Sequence, residues 1–257
     1  MQLRDAAETL GVHYQTAYGW VRQGTLRARK TPRGYEVSEA DVRDLLASRA
    51  AGAEPPREVQ VRDWAAQAGR LYAALVAGDE PRARRDFGRL AAGVPLTALC
   101  DHVIAPALHR VGMDWAAGEL SIAEEHRATA ISERLIAARV HQPQGRPRGV
   151  AVVTTPPGER HALPAMMAAA CLREDHWHVH HLAADVPVAE VIGLAADTGA
   201  NLIVLSSATS DAVQLAARET QEIREHLPDT RVLAGRPGDT LSKLRELARA
   251  SQDPGSR

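Results

Sequence analysis

Apolar residues in the first fifty positions recur at helical spacing. Leu3, Ala6, Ala7 and Leu10 make one stripe that Gly11 ends, and Ala17, Trp20 and Val21 make a second before Gly24. The pattern predicts a helix, a tight turn and a second helix. Residues 25–37 then carry strand-forming side chains on both sides of Thr31-Pro32-Arg33-Gly34, a turn sequence, so a β-hairpin follows. Ser38 and Asp41 stand three apart as in a capping box and open a third helix through Leu45 and Leu46. Residues 1–49 therefore read as one small domain. Over 50–60, alanine, glycine and the paired Pro55 and Pro56 show no periodicity, which marks a linker and a domain boundary.

From 61 to 142 the period is helical throughout. Trp64, Ala68, Leu71 and Leu75 line one face, Leu96, Leu99, Val103 and Ile104 another, and Ile122, Ile131 and Leu135 a third, which predicts a four-helix bundle. Over 148–250 short apolar runs take over, at 150–153, 178–182, 202–207 and 231–235, separated by helical patterns at 165–173, 188–196, 213–225 and 241–248. Alternation of this kind predicts a doubly wound, Rossmann-like parallel sheet of the flavodoxin type, with helices on both faces. Ligands of such sheets sit at the carboxyl ends of the strands. The fold class expected is multidomain α/β.

Composition and charge refine this picture. Aromatic residues are scarce at 4%, which disfavours a β-sandwich and suits helices. The net charge of −1 conceals a polarity: Arg22, Arg27, Arg29, Lys30 and Arg33 fall in an acid-free run, while Glu36, Glu39, Asp41 and Asp44 follow it. A local basic stripe matters more to a polyanion than the total charge. Cys100 and Cys171 lie inside apolar helical patterns, as reduced core thiols rather than a disulfide pair. The opening residues carry neither the basic nor the apolar region of a secretion signal, and no apolar run reaches membrane-spanning length. A cytoplasmic protein without membrane contact is expected.

A DNA-reading helix needs polar side chains for base edges on the face away from its packing partner. Tyr14, Gln15, Tyr18 and Arg22, with Thr16 among them, lie on the side of the second helix opposite Ala17, Trp20 and Val21. Arg27, Arg29, Lys30 and Arg33 on the hairpin are placed to meet phosphates, which fix register without reading sequence. A small accessory domain with solvated arginines is the bland alternative, but helix end, basic turn and capped third helix agree on one unit. The stretch 3–46 resembles the excisionase and MerR-type winged helix-turn-helix. That resemblance implies binding to double-stranded DNA.

In the sheet half, His161 lies just past the first strand, where its imidazole can be offered to a metal while Glu159 orients the other nitrogen. Asp185 falls in the loop after the second strand, Ser207 and Thr209 after the third, and Gly235 after the fourth. The set resembles the cobalamin-binding domain's pattern of an acidic residue and histidine, a serine loop and a glycine pair. In that family the histidine replaces the nucleotide base as lower ligand of cobalt, and the tail threads a slot bordered by the serine and the glycines. In the bundle, Trp115 is followed ten residues later by Glu125 and His126, and the segment 114–126 resembles the capping bundle of the CarH- and LitR-like light-sensing regulators. The resemblance implies that these three side chains cover the upper face of the corrin and enclose the adenosyl group of adenosylcobalamin. Ser121 and Glu124 are spaced as a capping box, which leaves Glu125 as the ligand-facing acid.

Winged helix, bundle and sheet in this order resemble that family over almost the full chain. The implied protein is a repressor that holds DNA as a dimer or tetramer with adenosylcobalamin bound, and releases it when light breaks the cobalt–carbon bond. Pro164 stands where the family motif ends in glycine, Ala234 replaces the first glycine of the pair, and Ala116 follows the tryptophan where a light-sensing member can carry a second histidine. After Gly235 the chain runs almost directly into the helix at 241, so the family's last strand is expected to be missing. His176, His178 and His180 alternate along one strand, but no cysteine or carboxylate completes a zinc set, and with His181 they read as an edge strand's polar face. No nucleophile with a base, acid–base pair or phosphate loop stands out, so no catalysis is predicted. Two other readings stay open: a regulator whose sheet domain takes another ligand or a protein partner, and a corrinoid carrier for methyl transfer.

Overall fold

The computed structural model describes residues 1–10, 12, 14–23, 26–31, 34–50, 63–140 and 146–250. Two compact units emerge, Met1–Gln60 and Val61–Arg257. The expected linker at 50–60 lies, from residue 51 on, outside the described residues.

In the first unit, α1 (Leu3–Thr9) and α2 (Tyr14–Gln23) precede a hairpin of β1 (Ala28–Thr31) and β2 (Gly34–Val37), and α3 (Glu39–Ala50) closes it. The apolar stripes of the sequence are the ones buried, with Leu3, Ala6, Ala7, Leu10 and Ala17 packed on Leu26, Val37 and Val42. The backbone N–H of Asp41 donates to Ser38 Oγ at 3.0 Å, and that hydroxyl donates to Asp41 Oδ2 at 2.6 Å. The start of α3 is therefore held through the hydroxyl.

The bundle of the second unit begins with α4 (Trp64–Ala77) and α5 (Glu80–Ala91), each capped by an aspartate, Asp63 and Asp79. A long third rod follows: α6 (Leu96–Leu99) continues through a π-helical segment, Cys100–Ile104, into α7 (Ala105–Ala116). The apolar period gave no sign of the π segment. Its widened turn has Ala105 N–H donating to Cys100 O, and it leads into Pro106, which has no N–H to donate to the carbonyl four residues back. The fourth rod is α8 (Ile122–Ala137).

The sheet half alternates β3 (Val150–Thr154), α9 (Ala162–Glu174), β4 (His178–His181), α10 (Val188–Thr198), β5 (Leu202–Leu205), α11 (Ser210–His226), β6 (Arg231–Ala234) and α12 (Leu241–Ala250). Its strands are all parallel in the order β4-β3-β5-β6, and among the described residues no strand follows β6. The apolar strands are covered on one face by α9 and α12 and on the other by α10 and α11. Helix α9 begins at Ala162, earlier than its apolar pattern implied, because Pro164 needs no N–H partner in a first turn.

Helix α9 also joins the bundle to the sheet. Leu163, Met167, Ala170 and Cys171 belong to the bundle core, while Ala165, Ala168, Ala169 and Leu172 belong to the sheet core. A helix buried on two sides explains its run of alanines. Each half also caps a helix of the other. Glu174 at the end of α9 accepts from Leu96 N–H at 2.8 Å, and Asp101 accepts from Leu241 N–H at 2.7 Å and Ser242 N–H at 3.0 Å at the start of α12. Cys100 and Cys171, far apart in sequence, are both buried at this seam as free thiols. The Cys171 thiol beside it, together with burial, pushes the Cys100 thiol far above its ordinary range.

Candidate functional site

The carboxyl ends of the parallel strands gather the residues singled out in the sheet half. After β3 the chain turns through Gly158, which has φ +80 and so occupies the left-handed region that glycine tolerates best. Thr155 Oγ1 donates to Glu159 O at 2.6 Å and accepts from Asp185 N–H at 2.9 Å, while Gly158 N–H donates to Asp185 Oδ1 at 2.7 Å. Asp185, itself at φ +61, thereby ties the loop after β4 to the loop after β3. Thr155 escaped the sequence reading. Its signal was a hydroxyl just past an apolar strand, which many turns share.

Glu159 is the hub. Its Oε1 accepts from His161 N–H at 2.9 Å and meets His161 Nδ1 at 2.5 Å; its Oε2 accepts from Ala208 N–H at 3.0 Å, Thr209 N–H at 3.1 Å and Thr209 Oγ1 at 3.2 Å. Burial by itself would raise this carboxyl, but the bonds from His161 and from Ala208 N–H outweigh it and hold Glu159 below the usual carboxylate range. A buried carboxylate on Nδ1 fixes ring orientation and keeps the proton there, so Nε2 is the basic nitrogen. The Glu159 side chain is 1% exposed whereas that of His161 is 64% exposed.

Two further observations at this edge test whether a cobalamin suits the residues present. Ser207 Oγ is buried and has no hydrogen-bond partner among the described residues, a state that costs about 1–3 kcal/mol unless an outside group satisfies it. Gly235 donates its N–H to Leu205 O at 2.8 Å, and a Cβ there would meet Leu205 O at 3.7 Å, an ordinary contact. The fold therefore does not itself demand glycine at 235. A basic imidazole nitrogen, an unsatisfied hydroxyl and a side-chain-free position at one strand edge fit the lower ligand and tail slot of a corrinoid.

On the bundle, Ala107 and Val111 mark the buried stripe of α7, and Trp115 continues it one turn later yet is 47% exposed. The apolar face thus outruns its cover. Ser121 and Glu124 form the expected capping box with both bonds present. Glu125 is free of that task; its Oε2 meets His126 Nδ1 at 2.5 Å and its Oε1 accepts from Thr129 Oγ1 at 3.0 Å. Ile122 is not a core residue, contrary to its place in the apolar pattern: it is 62% exposed at the first position of α8, one turn before Glu125 and His126. Two residues after His161, Leu163 packs into the bundle core, so the sheet edge and the bundle are structurally continuous here.

In the first unit, Tyr14 is exposed and stacks on Tyr18, with centroids 6.3 Å apart, while Tyr18 also meets the Tyr35 ring edge-on at 5.6 Å and packs on the core. Tyr18 thus joins α2 to the wing rather than lying on the free face expected for it. Gln15, Thr16 and Arg22 are carried by α2, Arg27 and Lys30 are exposed, and Arg33 lies outside the described residues. The basic run is not acid-free in space. Hairpin register sets Arg29 opposite Glu36, with Nη2 3.0 Å from Oε2. The histidines of β4 do lie on an edge strand, His178 and His180 meet edge-to-face at 4.9 Å, and no group of three or more metal-ligating side chains occurs among the described residues.

Residues 67–139 and 149–251 each match a family model described as a B12 binding domain, and residues 1–50 match one described as a helix-turn-helix domain. The chain is 28% identical over 258 residues to the HTH-type transcriptional repressor CarH of Myxococcus xanthus, an alignment covering 87% of this chain and 85% of that one. The monomethylamine corrinoid protein of Methanosarcina barkeri shares its fold, with a TM-score of 0.55 and 16% identity over 69% of this chain and 94% of the other. Among the described residues no helix is long and apolar enough to cross a membrane.

Proposed function

We propose that this chain is a CarH-like, B12-binding transcription regulator in which adenosylcobalamin, bound between the sheet edge and the bundle, controls its hold on DNA. The observation that carries this reading is the buried Glu159 carboxylate, which fixes His161 Nδ1 and leaves Nε2 as the nitrogen for cobalt. The cofactor, when bound, would supply a cobalt centre and a light-sensitive cobalt–carbon bond. Ser207, Thr209, Asp185 and Gly235 would border its nucleotide tail. Trp115, Glu125 and His126 would cover its upper face, Trp115 by apolar contact and the Glu125–His126 pair by hydrogen bonding. DNA is read by α2 with Tyr14, Gln15, Thr16 and Arg22, while Arg27, Arg29, Lys30 and Arg33 hold phosphates. Half-site recognition by one helix calls for two or more copies, a dimer or tetramer, acting on DNA in the cytoplasm.

The test is a visible spectrum of the full chain mixed with adenosylcobalamin in the dark and then illuminated, followed by retention of promoter DNA fragments in both states. A bound corrin band with DNA retention that changes on illumination supports the reading. Ligand binding should also raise stability by about 2.7 kcal/mol at a hundredfold excess over Kd, and His161→Ala should gain much less. No corrin band and no melting shift with adenosylcobalamin, methylcobalamin or hydroxocobalamin would refute it.

A further inference from the structure

The last turn of α7 carries Trp115, and such turns fray unless something holds them. Here Asp114, the residue before it, is held from three directions. The Tyr72 hydroxyl on α4 donates to Asp114 Oδ2 at 2.5 Å. The Arg110 guanidinium lies over the Tyr72 ring, 4.0 Å from its centroid, and its Nε is 3.7 Å from the same carboxylate oxygen. The Asp114 carbonyl accepts from Glu119 N–H at 2.8 Å and Leu120 N–H at 3.2 Å, while Gly118, at φ +78, donates to Trp115 O at 3.0 Å. This is the Schellman arrangement, and it sets the path of the chain out of the helix. Leu120 then packs against the bundle core and Ser121 caps α8, which carries Glu125 at the end of its first turn and His126 next.

The Tyr72 hydroxyl is therefore bonded to the residue before Trp115, and the turn closed on the Asp114 carbonyl leads directly into the start of α8, which carries Glu125 and His126. We infer that the Tyr72–Asp114 hydrogen bond is the strut that positions Trp115, and through the turn after it Glu125 and His126, so that this face discriminates the upper ligand of a bound cobalamin. Tyr72 is a positioning residue, reaching the ligand only through Asp114. The inference rests on the cobalamin reading above for its ligand, though not for the strut itself. The Asp114 carboxylate as acceptor, helped by burial, pushes the Tyr72 phenol above its ordinary range, so the hydroxyl keeps its proton and stays a donor at neutral pH.

Tyr72→Phe in the full chain removes one oxygen and keeps the ring under Arg110. Two readouts decide the matter: dissociation constants for adenosylcobalamin and hydroxocobalamin, taken from visible titrations in the dark, and the Trp115 indole N–H resonance of the ligand-free protein, identified by its loss in Trp115→Phe. Tyr72→Phe should bind hydroxocobalamin within about twofold of wild type, lose about tenfold in adenosylcobalamin affinity, and shift or broaden the Trp115 resonance while that of Trp177 stays in place. Asp114→Asn, which keeps an acceptor oxygen for the phenol, should retain more of the selectivity than Tyr72→Phe. An unchanged affinity ratio with an unmoved Trp115 resonance overturns the inference. So does an equal loss for both cobalamins that tracks a lower melting temperature, since that is the signature of plain helix–helix packing. If wild type binds neither cobalamin, the functional reading fails by itself, and the Trp115 resonance in Tyr72→Phe still decides whether the strut exists.

Discussion

Glu159→Gln is the sharpest perturbation of the sheet edge, because it changes one oxygen into a donor without changing shape. In wild type one carboxylate oxygen serves His161 N–H and its ring, and the other serves Ala208 N–H, Thr209 N–H and the Thr209 hydroxyl. A glutamine can keep only one side. If its carbonyl faces Ala208 and Thr209, its NH2 group opposes His161 N–H and drives Nδ1 to accept, which moves the ring proton to Nε2 and removes the nitrogen a metal would use. If it faces His161 instead, the Ala208 and Thr209 N–H groups lose their acceptor. Either way about two donors go unsatisfied at about 1–3 kcal/mol each, so a loss of about 2–6 kcal/mol is expected. Hydroxocobalamin affinity should fall by about 10- to 100-fold, the usual cost of removing the partner of a ligating histidine. Urea unfolding with and without hydroxocobalamin measures both. The wild-type carboxyl lies below its ordinary value, so its contribution is present above the unfolded value of 4.5 and is lost as pH falls through the folded value. The gap between wild type and Glu159→Gln must therefore close in acid. A gap under about 0.5 kcal/mol at pH 7, or one that ignores pH, refutes the hub argument.

Three further outcomes follow from other parts of the molecule. Burial, with Glu222 nearby, pushes the Glu219 carboxyl up to about 7 from 4.5, so the folded chain keeps a proton that the unfolded chain releases, and stability should fall as pH rises between those values. At 1.36 kcal/mol per pH unit this is on the order of 3 kcal/mol; Glu219→Gln should flatten that limb in urea titrations at pH 5 and 8, and parallel profiles would exclude it. Asp101→Ala removes the acceptor at the start of α12 and should cost about 1–2 kcal/mol, with faster amide exchange confined at first to 241–245; exchange unchanged there would mean the cap is idle. Arg29→Ala with Lys30→Ala should lower the salt slope of DNA binding by about 0.9 for each phosphate no longer neutralised, and Glu36→Gln, which frees Arg29, should tighten binding to DNA of any sequence; an unaltered slope would take the wing off the DNA-facing surface.

Much of this molecule was legible in one dimension because its signals are local. Periodicity placed the stripes of α1 and α2, three of the four rods of the bundle and the β/α alternation of the sheet half, while α5 was implied only by the expected count of four; a three-residue spacing marked both the Ser121–Glu124 box and the Ser38–Asp41 start of α3. Glu159 and His161, two residues apart, could be paired from sequence alone. The remainder depended on residues that only the closed topology brings together. Periodicity says which side of a helix is apolar but not where its cover ends, so Ile122 read as core although it stands beyond the packed part of the bundle. Cross-strand register, not charge order, put Glu36 against Arg29 and packed Tyr18 between α2 and Tyr35. The cap from Asp101 to Leu241, the cap from Glu174 to Leu96, the Cys100–Cys171 pair and the Tyr72–Asp114 bond join residues tens of positions apart or more. Spacing along the chain carries no trace of such pairs. A hydrogen bond of 3 Å selects its partner by distance in the folded state, whereas helical and strand periods are imposed by neighbouring residues before the chain closes.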